Sequence, residues 1–401
     1  MKVSAGYFPG NIFAPADVRG HPSPRVFIAP QRYIQGPGVL ESIGRYLSLL
    51  QVGRIGVLMS LRVSTHEGIA VRSSVRAAGN QSFSGIFAGE WSLPEIERHV
   101  TQFRSTQVDC VVALGGGKCV DAGKAVACRL GVPVVVVPTL ASNDAPCSAL
   151  SILYTPEGAS DAVEFYPHSP AIVIIDTTII AAAPERLLVA GMGDAMATWY
   201  EAHVCLLNRA AVTGVGARPT LASCTIGEAC AHTLYADGIA AAAAVSAGVV
   251  NEALESVVEA NTLLSGLEFE SGGVAAAHGV AQSYTSVPQV HANFLHGEMV
   301  AMGTLTQLMM EGRPDEALRV AGFFAAVGLP IHLGQLSLDA SDSQALAQVV
   351  DGTLAFPYTA NTPMPVTATI VRQAIIEADV LGRQVQAQHG DAAYRRLHEL
   401  R

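Results

Sequence analysis

Three separated groups of residues have the types and spacing to do chemistry. The first is Gly115-Gly116-Gly117-Lys118 with Asp121 close behind, directly after the apolar run Val108 to Leu114. A strand, a glycine turn and a helix start let backbone approach a phosphate: no Cβ stands in the way, and the first helical N–H groups are free. Lys118 adds a point charge there. The spacing is neither G-x-G-x-x-G nor a P-loop, and a plain tight turn is the competing reading. The second group is the polar loop Pro138 to Ser148. Thr139, Ser142 and Ser148 offer hydroxyls suited to phosphate, ribose or amide groups, and Asp144 is a lone carboxylate among small residues. Turn and cap formation is the plainer use of the same residue types. The third group is Asp194 beside Gly191 and Gly193, His278 in a Gly/Ala run, and His296 next to Gly297. Three protein ligands with an open position are what catalytic zinc uses. Spacing alone does not bring the three together, and a histidine on an apolar helix is more often a satisfied core residue. His203, His232, His291 and His332 lack a comparable small-residue setting.

The elements that must position these groups change character along the chain. Short runs rich in β-branched residues alternate with helical patterns up to about residue 183: Val26 to Ala29, Arg54 to Met59, Val108 to Leu114, Val132 to Val137 and Ala171 to Ile175 read as strands. Gly38 to Leu50 and Glu95 to Arg104 read as helices between them. This alternation predicts an α/β domain over 25–183 with a parallel sheet, whose ligands sit at the C-terminal strand ends. From Pro184 the pattern is helical throughout: Pro184 to Val189, Asp194 to Leu207, Thr220 to Asp237, Ala244 to Leu267, His296 to Met310, Pro314 to Val327, Ser341 to Val350 and Thr367 to Gln388. An all-α domain over 184–401 follows, and residues 1–24 form an N-terminal extension rich in Gly and Pro.

Composition narrows the function classes. The chain has 401 residues, 50% apolar and 14% charged, enough for two large cores. Its net charge is −10 with no Lys/Arg-rich run, which argues against nucleic acid as a partner. Seven scattered cysteines without a C-x-x-C pair suit buried thiols in a reducing compartment. No apolar stretch reaches the ~18 to 20 residues of a membrane span, and the start lacks the charged-then-apolar pattern of a signal peptide. A soluble, cytoplasmic protein with no membrane partner is expected.

Taken together, several motifs resemble those of the glycerol dehydrogenases, in the iron/zinc-dependent alcohol dehydrogenase superfamily. They are Gly-Gly-Gly-Lys-x-x-Asp at 115–121, Pro-Thr-x-Ala-Ser-x-Asp-Ala-Pro-x-Ser-Ala-Leu-Ser at 138–151 and Gly-Asp-Ala-x-Ala-Thr-Trp at 193–199. Glu259 to Leu267, the run Glu270 to His278 and His296-Gly297-Glu298 extend the match. The resemblance implies a dehydroquinate synthase-like fold: a dinucleotide-binding α/β domain plus a helical metal-binding domain. It implies Asp194, His278 and His296 as ligands of Zn2+, or of another divalent metal such as Fe2+. It implies NAD on Gly115, Gly116, Gly117, Lys118 and Asp121, with Thr139, Ser142, Ser148, Leu150 and Tyr154 around it. Asp144 would face a small polyol substrate and help position or deprotonate its hydroxyls, and the protein would be a homo-oligomer, commonly an octamer.

The sequence departs from that family in three places. Ser60-Leu61-Arg62 follows the strand Arg54 to Met59 where an Asp usually accepts from the adenosine ribose, which admits NADP through Arg62. Ala281 and Gln282 stand where a further His and an Asn are common, which bears on glycerol itself. The residues before Arg25 have no counterpart. A glycerol-1-phosphate dehydrogenase is the nearest alternative and needs a cationic pocket, but no added Lys or Arg is evident around Asp144, Asp194 or His278. A dehydroquinate synthase-like lyase, or a dinucleotide binder without turnover, are the others.

Overall fold

The structure is a computed structural model that describes residues 7–13, 22–87, 90–156 and 160–398. Eight strands form: β1 (Tyr33–Gly36), β2 (Arg54–Ser60), β3 (Gln81–Phe87), β4 (Cys110–Gly115), β5 (Val134–Pro138), β6 (Leu150–Tyr154), β7 (Ser160–Phe165) and β8 (Ile172–Asp176). Six of them pair in parallel in the order β1-β8-β5-β4-β2-β3, while β6 and β7 make a separate antiparallel hairpin. From β2 the chain moves outward to β3; from β4 it moves the other way, to β5. The C-terminal ends of β2 and β4 therefore flank the switch point where open α/β sheets bind ligands. Gly115 to Lys118 lie there.

Alternating side chains divide the central strands between two cores. Val57, Met59, Val112, Leu114, Val135 and Val137 pack on one face with Leu40, Ile43, Val71 and Val75. Leu58, Val111, Ala113, Val134 and Val136 face the other way, and that core runs on without a break into the helical half. β4 and β5 are buried at every position, which is why they read as continuous apolar runs.

Helix α1 (Gly117–Leu130) follows β4. The second half is built on α2 (Glu185–Leu207), α3 (Leu221–Ser246), α4 (Glu252–Glu259), a π-helical turn (Ala260–Leu264), α5 (Ser265–Gly272), α6 (Ala276–Tyr284) and α7 (His296–Met310). Helices Pro314–Val327, Ser343–Ala355 and Ala368–His389 surround them. Among the described residues no strand follows Asp176.

Several expectations need correction. Val26 to Ala29 is not a strand; only an isolated bridge joins Arg25 to Arg218, and the edge strand is β1. The stretch 38–50 is one short α-helix between two 3-10 turns. Ala244 to Leu267 is not one helix. Gly248 turns the chain at φ 66, and Asn251 then caps α4 by accepting the Leu254 N–H at 2.9 Å. Of the N-terminal extension, residues 1–6 and 14–21 lie outside the described residues; Pro9–Phe13 form a short helix.

Candidate active site

Three helices packed backbone to backbone bring the third group together. Asp194 lies on α2, His278 on α6 and His296 at the first position of α7. One oxygen of Asp194 lies 3.4 Å from Nε2 of each imidazole. One ligand atom from each residue falls within 4.8 Å of the others. Glycines make this possible. A Cβ on Gly193 would lie 2.4 Å from the Gly297 carbonyl oxygen, and one on Gly297 would lie 1.8 Å from that of Ala190.

Both carboxylate oxygens of Asp194 are buried and accept no hydrogen bond from the described residues. A buried carboxylate without donors costs several kcal/mol of desolvation unless a cation satisfies it. Burial raises its pKa, but His296 and His278 outweigh that and hold it below the usual carboxylate range. Two imidazoles and such a carboxylate fit a divalent metal and leave further coordination positions open.

The imidazole of His278 is itself aimed by Glu201. The Glu201 carboxylate accepts from Nδ1 at 2.5 Å and from the backbone N–H groups of His278 and Ala275, each at 2.8 Å. An ionised carboxylate can only accept, so Nδ1 carries a proton toward Glu201, which leaves Nε2 as the nitrogen a metal would take. With none bound, burial lowers the His278 pKa, but Glu201 and Asp194 outweigh that and raise it well above 6.5. Sequence reasoning passed over Glu201. Its signal was the seven-residue step from Asp194, two helical turns along one face of α2.

Behind Glu201 sits a second carboxyl. Glu268 on α5 is fully buried; Oε2 accepts from the Thr198 hydroxyl at 2.9 Å and Oε1 has no partner among the described residues. It fills the notch left by Gly227, where a Cβ would come within 1.5 Å of Oε1. Burial, then the charge of Glu201, push its pKa well above 4.5. The folded protein thus holds a proton that the unfolded chain releases above that value, so this group makes stability fall as pH rises from there. The slope for one proton is about 1.4 kcal/mol per pH unit. Glu268→Gln should flatten the melting-temperature profile between pH 5 and 8 relative to the parent. Parallel profiles would remove the titration from the account.

The first two groups meet at the sheet edge. A Cβ on Gly116 would sit 3.2 Å from Leu140, and one on Gly117 would sit 3.0 Å from the Asn143 amide. The Thr139 N–H donates to Gly115 O at 3.0 Å. Gly115, Gly116 and Gly117 thus seat the 138–148 loop against the start of α1, whose first turn has no side-chain cap. Lys118 is half exposed, ion-paired with Glu90 and 5.2 Å from the Tyr154 ring centre. Ser142, Leu150 and Tyr154 are partly exposed, whereas Thr139 and Ser148 are buried.

Two of these residues have other employment. Asp121 is buried, 2.9 Å from Lys124 Nζ, and accepts the Ile152 N–H at 3.2 Å, so its carboxylate holds the β6–β7 hairpin. The Ser148 hydroxyl donates to Ala145 O at 3.2 Å and lies 3.3 Å from Lys124 Nζ. Lys124 corrects the expectation that no cation lies near Asp144. It is buried beneath the loop, and it donates to the carbonyls of Ala145 and Leu150 as well as pairing with Asp121. With its three donors engaged, it offers nothing to a substrate phosphate.

Asp144 lies in the same loop, with Oδ2 buried and without a partner among the described residues. Burial, then the charge of Asp194, push its pKa up to about 7. Ala281 is fully buried on α6 and presents no polar group.

A glycine turn at the C-terminal strand ends and a two-histidine, one-carboxylate cluster are the parts that a metal-assisted dehydrogenase needs. The chain belongs to the iron-containing alcohol dehydrogenase family, whose profile matches residues 30–177. It is 42% identical to a glycerol dehydrogenase of Escherichia coli over 362 residues, covering 90% of this chain and 98% of that one. A glycolaldehyde reductase of Halobacterium salinarum is 38% identical, over 90% of this chain and 99% of that one. The crystal structure of Schizosaccharomyces pombe glycerol dehydrogenase superimposes with a TM-score of 0.86 at 34% identity, covering 91% and 93% of the two chains. The chain is therefore an alcohol dehydrogenase of the kind that uses a nicotinamide dinucleotide and a divalent metal. No described helix is long and apolar enough to cross a membrane.

Proposed function

We propose that this enzyme oxidises glycerol to dihydroxyacetone, or a related vicinal diol to its hydroxyketone, with NAD as hydride acceptor. The observation that carries the reading is the buried Asp194 carboxylate, unpartnered by hydrogen bonds and faced by two imidazoles at 3.4 Å. Asp194, His278 and His296 would hold Zn2+, with Fe2+ the other candidate for the same donors. A divalent cation bound there supplies Lewis-acid polarisation of an alcohol oxygen. Asp144 would take the hydroxyl proton, since a carboxyl raised to about 7 both accepts and returns protons near neutrality. Gly115 to Gly117 would let the dinucleotide pyrophosphate approach the start of α1, with Lys118 and Tyr154 at its edge. Asp121 and Ser148 would act indirectly, by holding the loop and hairpin.

NADP stays open as the alternative dinucleotide. The Ser60 hydroxyl accepts the Val63 N–H as a helix cap, and Arg62 is exposed and only 3.7 Å-paired with Glu67. A 2′-phosphate would meet the Arg62 guanidinium there, in competition with Glu67. Glycerol-1-phosphate is disfavoured because Lys124 is fully engaged. We also assign a homo-oligomer, octameric as the resemblance implies, and a cytoplasmic setting; light scattering on purified protein reads the oligomer directly.

The test is initial-rate formation of reduced dinucleotide from glycerol, with NAD and NADP in parallel, on chelator-stripped protein and on protein reloaded with zinc or anaerobic iron. Turnover that returns with one metal is expected, and that metal is then the working ion. No turnover with glycerol, other vicinal diols or glycolaldehyde under any loading would sink the dehydrogenase reading.

A further inference from the structure

We propose that Asn261 is a positioning residue that fixes the Asp144 loop, and with it the dinucleotide edge, against the helix that carries Asp194. This rests on the assignment of Asp144, Asp194 and the glycine turn made under Proposed function. The Asn261 side chain is fully buried, and its amide nitrogen donates to two backbone carbonyls. One is Ala141 O at 3.0 Å, in the loop that continues to Ser142 and Asp144. The other is Leu188 O at 3.1 Å, on α2 less than two turns before Asp194. One amide group thus ties together the two halves between which a hydride must pass.

The surrounding backbone is shaped for this tie. Residues 260–264 form a π-helical turn, in which the Ser265 N–H reaches back five residues to Ala260 O. Such single turns carry one extra residue, and removing it would swing the side chains by about 100° around the helix. Gly191 leaves the space the amide occupies: a Cβ there would lie 2.4 Å from Asn261 Nδ2 and 2.1 Å from Ala141 O. Gly266, one turn on, admits the Asp144 carbonyl oxygen and Cys147 Cβ, each 3.0 Å from its own ideal Cβ. On the same turn Thr262 points elsewhere, to the Tyr33 hydroxyl at 2.8 Å. The loop therefore rests on the π turn, and the Asn261 side chain hydrogen-bonds to both the loop and α2.

A displacement of 1 Å between reacting groups can cost a hundredfold in rate without touching either binding site. The test compares Asn261→Asp, which keeps the size but loses the N–H donors, with Asn261→Ser and Asn261→Ala. Thr262→Val is the control for disturbance of the π turn. Four quantities are read: metal content after reloading, dinucleotide Kd by fluorescence titration, kcat with glycerol and with carbon-deuterated glycerol, and amide exchange over 140–148. The expected result is parent-like metal content and dinucleotide Kd, kcat lower by tenfold or more, a raised deuterium isotope effect and faster loop exchange. Thr262→Val should lower Tm while leaving kcat and the isotope effect alone. The proposal is overturned if kcat and isotope effect match the parent, or if metal or dinucleotide binding falls by the same factor as kcat. It is overturned too if all three Asn261 variants fail to fold, since a positioning tie is not needed for folding. Failure of the parent itself to turn over would instead remove the functional reading beneath it.

Discussion

Asp144→Asn should lower kcat by about 10²- to 10⁴-fold, the range a positioned acid–base group contributes, while leaving dinucleotide affinity and metal content at parent values. The substitution keeps shape and volume. The loop hangs on backbone groups and on Lys124, which grips Ala145 and Leu150 carbonyls whatever stands at residue 144. What the amide cannot do is take a proton from a substrate hydroxyl. The buried Oδ2 has no partner to lose, and burial disfavours its charge, so a neutral amide takes nothing from the fold. Rapid-mixing measurement of the hydride step isolates the effect from product release. A variant within threefold of the parent would make Asp144 a bystander and move the proton's destination elsewhere in the cleft.

Glu201→Gln is expected to weaken metal binding by about 10- to 100-fold, the usual cost of removing a carboxylate that orients a ligating histidine. Three donors converge on this carboxylate: Nδ1 of His278 and the backbone N–H groups of Ala275 and His278. A glutamine must turn its own NH2 toward one of them. If it faces the imidazole, Nδ1 gives up its proton to accept, and Nε2 then carries the hydrogen that points at Asp194. If it faces the backbone, two N–H groups at the start of α6 lose their acceptor. Either way the site loses affinity rather than the enzyme losing chemistry. Competition against a chromogenic chelator gives the metal Kd, and saturating metal should restore most of kcat. A metal Kd within twofold of the parent would show that the carboxylate only ties α6 to α2.

The sequence was most legible where burial is uniform or periodicity long. β4 and β5 read as strands because every residue is buried, and His296–Met310 and Pro314–Val327 match the helices residue for residue. β3 escaped because it is an edge strand, Gln81–Phe87, with polar residues and Gly85 among its apolar ones. The β6–β7 hairpin escaped because it lies apart from the parallel sheet, between β5 and β8, which are themselves neighbours. The candidate metal trio was visible as residues set among glycines, and the reason emerged in three dimensions: Gly193 and Gly297 are contact points between helices. Glu201, Lys124 and Asn261 were passed over, and only Glu201 left a trace, its seven-residue step from Asp194. A carboxylate, an ammonium and an amide announce nothing about their partners when those partners are largely backbone groups distant in sequence. The π turn leaves no periodic trace either, since one extra residue inside an apolar helical run looks like ordinary drift.

The glycine notches between α2, α6 and α7 also set which changes lineages of this protein can accept. A single added methyl at Gly193 or Gly297, or at Gly303, where a Cβ would lie 2.1 Å from Ala277 O, drives into backbone that has no rotamer to yield. Alanine, elsewhere the mildest of replacements, is among the harshest at these three positions. Divergence is therefore channelled away from these helix contacts. It falls to side chains with room to change, such as exposed Arg62 just beyond the C-terminal end of β2, in the stretch 60–62 where the family resemblance implies an acidic residue.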